Sequence, residues 1–198
     1  GATGALKSIG YAIRQTQPSR VVVVFDGKGG SASRKKKFSG YKAQRDSNKL
    51  RVNRAYKGMM NDEDERESMK RQYVWLNEML YGLPLTTMIY DGVEADDVMA
   101  TFAVKEKGPI RVVTGDRDLF QLVDDKRDVK VVYLARGISQ HDLVDIKWVA
   151  EKYGIPGDRY ALFAMFRGDP SDGLPGVRGI GEKGAALIAN HFATVDEA

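Results

Sequence analysis

The stretch GVEADDVMA, residues 92–100, places Glu94, Asp96 and Asp97 within four positions, with Asp91 just before them. Acids gather elsewhere too: Asp26 follows VVVVF, Asp116 and Asp118 form a D-x-D pair in VVTGDRDLF, and Asp169 and Asp172 lie in RGDPSDG. Carboxylates this close repel, push up one another's pKa values and weaken the fold unless cations neutralise them. Capping of a helix start is the plainer use of Glu94–Asp97, worth only ~0.3–1 kcal/mol through the helix dipole. It does not account for acids at three strand ends, where ligands collect in parallel α/β sheets. Alternate residues of an extended stretch point the same way, so a D-x-D aims both carboxylates at one place. The reading is therefore metal. Two divalent ions roughly 3.5–4 Å apart are suited to phosphodiester hydrolysis.

Composition limits the choice of ion. The chain has 198 residues, no cysteine and two histidines, His141 and His191. This excludes a disulfide framework and any cysteine-based zinc site. Oxygen ligands favour Mg2+, Mn2+ or Ca2+. The net charge is +4, unevenly spread: residues 28–57 hold eleven Lys/Arg against one acid, Asp46. A basic stretch beside acidic clusters suggests a polyanion held by one and metal by the other. No apolar run approaches the ~20 residues of a membrane span, and GATGALKSIG lacks the pattern of a secretory leader. The expected setting is cytoplasmic, at the nucleoid, with no membrane partner.

The positioning elements follow from periodicity. Residues 3–16 carry Leu6, Ile9, Ala12 and Ile13 at helical spacing. VVVVF reads as a fully buried strand, as parallel sheets require, and LPLTTMIY, IRVVTG and VKVVYLA as three more. NDEDERESMKRQYVWLNEML reads as a helix with Met69, Tyr73, Leu76 and Leu80 on its apolar side. Residues 94–107 read as a helix and DLFQLV as a short one; residues 28–61 show no clear period. From Asp142 onward the chain reads as helical. Alternating strands and helices give an α/β fold with a parallel sheet, divided into a core, residues 1–140, and a helical subdomain, residues 141–198. In GVRGIGEKGAALI, Gly176, Gly179 and Gly181 lead into a helix near Glu182. Backbone N–H groups there, with Lys183, suit phosphates gripped without base reading.

Other residues have plainer readings. Arg34–Lys37 reads as a solvated basic face, Trp75 and Trp148 as core, His141 as a cap or surface residue, and His191 as a helix end. Tyr41 either stacks on an unpaired base or packs.

The pieces VVFDGKG, YKAQR, GVEADDVMAT, VVTGDRDLFQLV and KYGIPGDRYALFAMFRGDPSDGLPGVRGIGEKGA run over nearly the whole chain. In that order they resemble the bacterial and phage 5′–3′ exonuclease/flap endonuclease family, which includes the nuclease domain of DNA polymerase I. The resemblance implies a PIN-like core with a helix–three-turn–helix DNA-binding subdomain. It also implies metal-dependent cleavage of branched, nicked or 5′-flapped DNA in replication and repair, with a DNA polymerase as a candidate partner. Carried over by position, Asp26, Glu94 and Asp96 serve a first ion, and Asp116, Asp118 and Asp169 a second. Asp96 or Asp97 lies between them, and Asp172 is an outer acid. Tyr41, Lys42 and Arg45 match the arch, residues 28–61, where the basic pair orients the scissile phosphate. The family hairpin also holds a K+ ion through its carbonyls. The family's opening strand and its Asp are expected to be absent here, making the chain a fragment, and Gly184 replaces a hydroxyl residue in GEKGA. Two alternatives remain: a DNA-binding module without catalysis, and a phosphotransferase or phosphatase using Asp116 or Asp118 as nucleophile.

Overall fold

The computed structural model describes residues 1–43, 62–134 and 140–198. Arg45 and most of the expected arch lie outside the described residues. In chain order the elements are α1 Ala2–Thr16, β1 Val22–Asp26, α2 Ala32–Lys37, α3 Asp62–Tyr81, β2 Thr86–Tyr90, α4 Ala95–Lys105, β3 Ile110–Thr114, β4 Val129–Tyr133, β5 Asp142–Val144, α5 Ile146–Tyr153, α6 Tyr160–Arg167 and α7 Glu182–His191. The expected DLFQLV helix is a 3-10 turn, Arg117–Leu122. Among the described residues, no helix is long and apolar enough to cross a membrane.

The α/β class holds, but the strands form two sheets. β1 pairs with β2 in parallel, Val22 opposite Thr86 through Asp26 opposite Tyr90. β3 pairs with β4 in parallel, Ile110 opposite Val129. β5 then pairs with β4 antiparallel, Val131 opposite Val144. Helix α4 packs on both β1 and β3 and so links the two sheets.

The expectation that the chain is helical from Asp142 onward fails at β5, where Val144 is fully buried and Leu143 half exposed. A strand of three residues is too short to display its period of two. β1 is only half-buried, with Asp26 exposed, unlike the fully buried strand its composition suggests.

One apolar cluster joins Val112, Val129, Val131 and Val144 of the sheet to Phe120, Val149, Tyr160 and Phe163, and on to Ala185 and Ala189 of α7. Phe120 is fully buried, edge-on to Tyr133 at 4.9 Å and to Trp148 at 5.5 Å. A smaller cluster sets Leu76 and Leu80 of α3 against Ala2 and Leu6 of α1 and Val23 and Phe25 of β1. Trp75 is 53% exposed, a correction to its expected core role. It follows from geometry, because one residue is a turn of ~100° on a helix and Leu76 holds the inward line. Met69 and Tyr73 are also largely exposed, although Tyr73 stands edge-on to Phe25. His141 meets Tyr11 of α1, with Nδ1 3.4 Å from the Tyr11 hydroxyl, and His191 ends α7 as expected.

Candidate metal centre

Four segments carry the acids to one region. Asp26 leaves the carboxyl end of β1, and its Oδ1 accepts from the Ala95 N–H at 2.8 Å. The exposed Asp26 thus satisfies a free N–H at the start of α4 and ties β1 to that helix. Glu94 stands at the N-cap position of α4 but makes no side-chain cap hydrogen bond. Its carboxylate turns away from the helix, which sets aside the capping reading for this residue.

The D-x-D pair is fixed by the turn after β3. The Asp116 N–H donates to Thr114 Oγ1 at 3.0 Å, and Asp116 Oδ1 accepts from the Asp118 N–H at 2.9 Å. Directly behind, Leu119 and Phe120 are buried in the main core, so the turn is anchored through its apolar residues.

Asp169 and Asp172 sit on a tight loop after α6. The loop is closed by paired backbone hydrogen bonds between Asp169 and Leu174, at 2.9 and 2.8 Å. Asp169 Oδ1 accepts from the Ser171 N–H at 2.7 Å and the Ser171 hydroxyl at 2.6 Å. Burial works to raise the Asp169 carboxyl, but these hydrogen bonds win and hold it below the usual range.

The segment leading to residue 43 closes over this region. Glu94, only 6% exposed, accepts from the Tyr41 hydroxyl at 3.0 Å, from Lys42 Nζ at 2.6 Å, and from Arg34 Nη1. Burial works to raise Glu94, and the hydrogen bonds from Lys42 and Tyr41 overcome it, so its pKa falls. Burial works to lower Lys42, and its hydrogen bond to Glu94 raises it instead. Lys42 Nζ also lies 3.8 Å from Asp172 Oδ2, and the Lys42 N–H donates to the Asp172 carbonyl at 2.8 Å. Tyr41 is buried, and burial pushes its hydroxyl up to about 12. It packs beside the carboxylates, which is the simpler of its two expected roles. Arg34 pairs with Glu94 and Asp97, correcting its reading as part of a solvated face.

Electrostatics tie the acids together. Burial, then the charges of Asp116, Asp26 and Glu94, opposed by Lys42, push Asp96 up to about 6. Burial, then the charges of Asp116, Asp169 and Asp172, push Asp118 up to about 6. Asp26, Glu94, Asp96, Asp116, Asp118, Asp169 and Asp172 therefore form one connected field of negative charge. Among the described residues, no three metal-binding side chains already stand close enough to hold an ion between them. The donor set nonetheless fits hard divalent cations, since every candidate ligand is a carboxylate and two of them are under-neutralised.

The glycine hairpin is built for close packing as well as for access. Gly176 has φ +65°, and a Cβ there would stand 2.5 Å from the Gly168 nitrogen, so this glycine serves backbone contact with the end of α6. Gly179 and Gly181 face open space, and Gly181 is the N-cap of α7, with Lys183 exposed in the first turn. These two positions retain the access that phosphate binding needs.

Sequence reasoning missed the pairing of Arg34. Its partner Glu94 lies 60 residues away, and no local signal distinguishes Arg34 from Lys35, Lys36 and Lys37.

Residues 1–154 match the family model described as the 5′-3′ exonuclease, N-terminal resolvase-like domain. A 5′-3′ exonuclease of Mycobacterium tuberculosis is 37% identical over 200 residues, covering 98% of this chain and 61% of that protein. A 5′-3′ exonuclease of Streptomyces coelicolor is 46% identical over 130 residues, covering 66% of this chain and 43% of that protein. The chain thus spans less than two thirds of either relative. Among solved structures, a bacteriophage T5 flap endonuclease in a pseudo-enzyme–product complex with DNA and metal ions superposes with a TM-score of 0.75. It is 22% identical and covers 98% of this chain and 68% of that one, which supports the PIN-like, resolvase-like fold.

Proposed function

This chain belongs to the family of 5′-3′ exonuclease N-terminal, resolvase-like domains, and on that premise we propose that it houses a divalent-metal-dependent DNA phosphodiesterase centre. The reaction is 5′–3′ exonucleolytic and flap-endonucleolytic hydrolysis near a nick or the base of a 5′ flap. The carrying observation is geometric: Asp26 is tied to the start of α4 through the Ala95 N–H, Asp116 to Asp118 within the turn after β3, and Glu94 to Asp172 through Lys42, so that carboxylates from four segments share one region.

Asp26, Glu94 and Asp96 would hold one ion, and Asp116, Asp118 and Asp169 the other, with Asp172 outside them. Mg2+ and Mn2+ both suit the ligands, and when bound they activate water and neutralise charge on the attacking and leaving oxygens. The protein's own part is to aim the strand. Lys42 Nζ already occupies a cation's place between Glu94 and Asp172. In the loaded site it would turn to the scissile phosphate. Gly179, Gly181 and Lys183 at the start of α7 would hold duplex phosphates without reading bases, and K+ is the natural ion for carbonyls of that hairpin.

Cleavage of a 5′-flap duplex, with Mg2+ or Mn2+, tests the proposal. Asp116→Asn should abolish product while DNA binding persists. A binding module without catalysis is the second reading, favoured by the neutralisation of Glu94 through Arg34 and Lys42. It predicts binding but no product from the unaltered chain.

A further inference from the structure

Arg34 reaches from α2 across the start of α4. Its Nη1 donates to Glu94 Oε2 and to Asp97 Oδ2 at 2.9 Å, while Nη2 donates to Asp97 Oδ1 at 2.6 Å. Both oxygens of Asp97 are thus engaged by one guanidinium in the two-pronged geometry that arginine supplies and lysine cannot. The Arg34 hydrogen bond is the leading cause that holds the Asp97 carboxyl below the usual range. Asp96, one residue earlier, makes no such pair with Arg34; the charges acting on it are those of Asp116 first, then Lys42, Asp26 and Glu94. The EADD run therefore divides, with Asp96 toward the D-x-D turn and Glu94 and Asp97 toward α2.

We propose that Arg34 and Asp97 form a positioning clamp for Glu94, with Asp97 serving as its anchor rather than as a metal ligand. The clamp rests on the metal-centre reading above. The Arg34 and Asp97 side chains are 37% and 44% exposed, so screening leaves the pair little net stability. Its effect is on direction. Glu94 is held at a fixed angle by a guanidinium that is itself fixed by Asp97, and a carboxylate oriented in this way binds a cation at less cost. The same geometry argues against Arg34 as a phosphate contact, since its fork is committed to two carboxylates.

The test is Mn2+ binding by calorimetry to the whole 198-residue chain and to its Arg34→Ala, Asp97→Asn, double and Arg34→Lys variants. Asp116→Asn serves as the control for the centre itself. Removal of groups that orient a metal ligand weakens metal binding by about 10–100-fold. Arg34→Ala and Asp97→Asn should each lie in that range with an unchanged number of ions, and the double variant should lose no more than either alone. Arg34→Lys should recover only part of the loss. A drop in ion number for Asp97→Asn would make Asp97 a ligand and overturn the clamp. So would an Arg34→Ala variant that binds Mn2+ as tightly as the unaltered chain or more tightly, since Arg34 would then compete for Glu94 as Lys42 does. If Asp116→Asn binds Mn2+ as the unaltered chain does, the metal-centre reading fails on its own. The clamp is then judged in EDTA by the side-chain NMR signals of the Arg34 guanidinium, which Asp97→Asn must shift; unchanged signals overturn it.

Discussion

Gly173 presses its backbone against the carbonyl of Gly40, so closely that a Cβ on Gly173 would stand 2.4 Å from that oxygen. With φ +75°, the residue also occupies the left-handed region, which costs other residues about 1–2 kcal/mol. This contact brings Lys42 to Asp172. Gly173→Ala should destabilise the chain by more than about 1 kcal/mol and lower kcat for flap cleavage more than it raises KM. Denaturant unfolding and steady-state kinetics check this, and a variant matching the parent in both would remove the contact from the site.

Lys42→Ala separates two functions. Loss of the ammonium between Glu94 and Asp172 removes a competitor for cations, so Mn2+ should bind more tightly. The phosphate-orienting charge is lost with it, and kcat should fall by about 10²–10³-fold. Calorimetry and single-turnover cleavage read the two effects separately, and a fall in both affinity and rate would contradict the exchange.

The raised carboxyls set a pH dependence in the metal-free chain. Asp96 and Asp118 move from an ordinary 3.8 up to about 6 in the fold. Between those values the unfolded chain has released protons that the folded chain keeps, so stability from these two groups falls as pH rises. Glu94 and Asp97 act oppositely, because their lowered values favour the fold above their ordinary range and lose that advantage on acidification. Asp96→Asn and Asp118→Asn should each stabilise the metal-free chain at pH 7 by about 1–2 kcal/mol, less than the full shift implies because the groups are only half-buried. The gain should vanish below pH 3.8 and shrink when Mn2+ is added. Thermal unfolding in EDTA across that range measures it; a gain independent of pH would refute the electrostatic origin.

Phe120 links the D-x-D turn to the core. It is fully buried among Tyr133, Trp148 and Tyr160. Phe120→Ala should cost about 3–5 kcal/mol and weaken Mn2+ binding, because Asp116 and Asp118 lose their anchored base. Unfolding and calorimetry on the same preparation test both; a destabilised variant with unaltered metal binding would show that the turn holds without it.

Lys183→Ala should weaken duplex binding about equally across sequences and reduce the slope of log affinity against log salt by about one unit. Fluorescence anisotropy at several salt concentrations tests this. A loss confined to particular sequences would mean that α7 reads bases.

Long periodic segments were legible from the sequence. α1 and α3 fall within a residue of their expected bounds, and the strand that ends in Asp26 and the strand that precedes the D-x-D turn lie where their apolar runs lie. The elements that failed were those whose pattern is short or depends on neighbours. β5 is three residues long, and Trp75 faces outward because Leu76 takes the inward line.

The order of residues was enough to define the chemistry available: acids at strand ends, no sulfur ligand from cysteine, a basic stretch and a glycine-rich entry to α7. These follow from residue type and local spacing, which the chain carries wherever it folds. Which charge meets which was left to the folding of distant segments onto one another. Folding turned Glu94 off its helix toward Tyr41 and Lys42, gave Asp97 to Arg34 and left Asp96 facing Asp116. Most of those pairings join residues tens of positions apart. Coulomb energy depends on distance through space and on burial, and neither is written in the order of the residues.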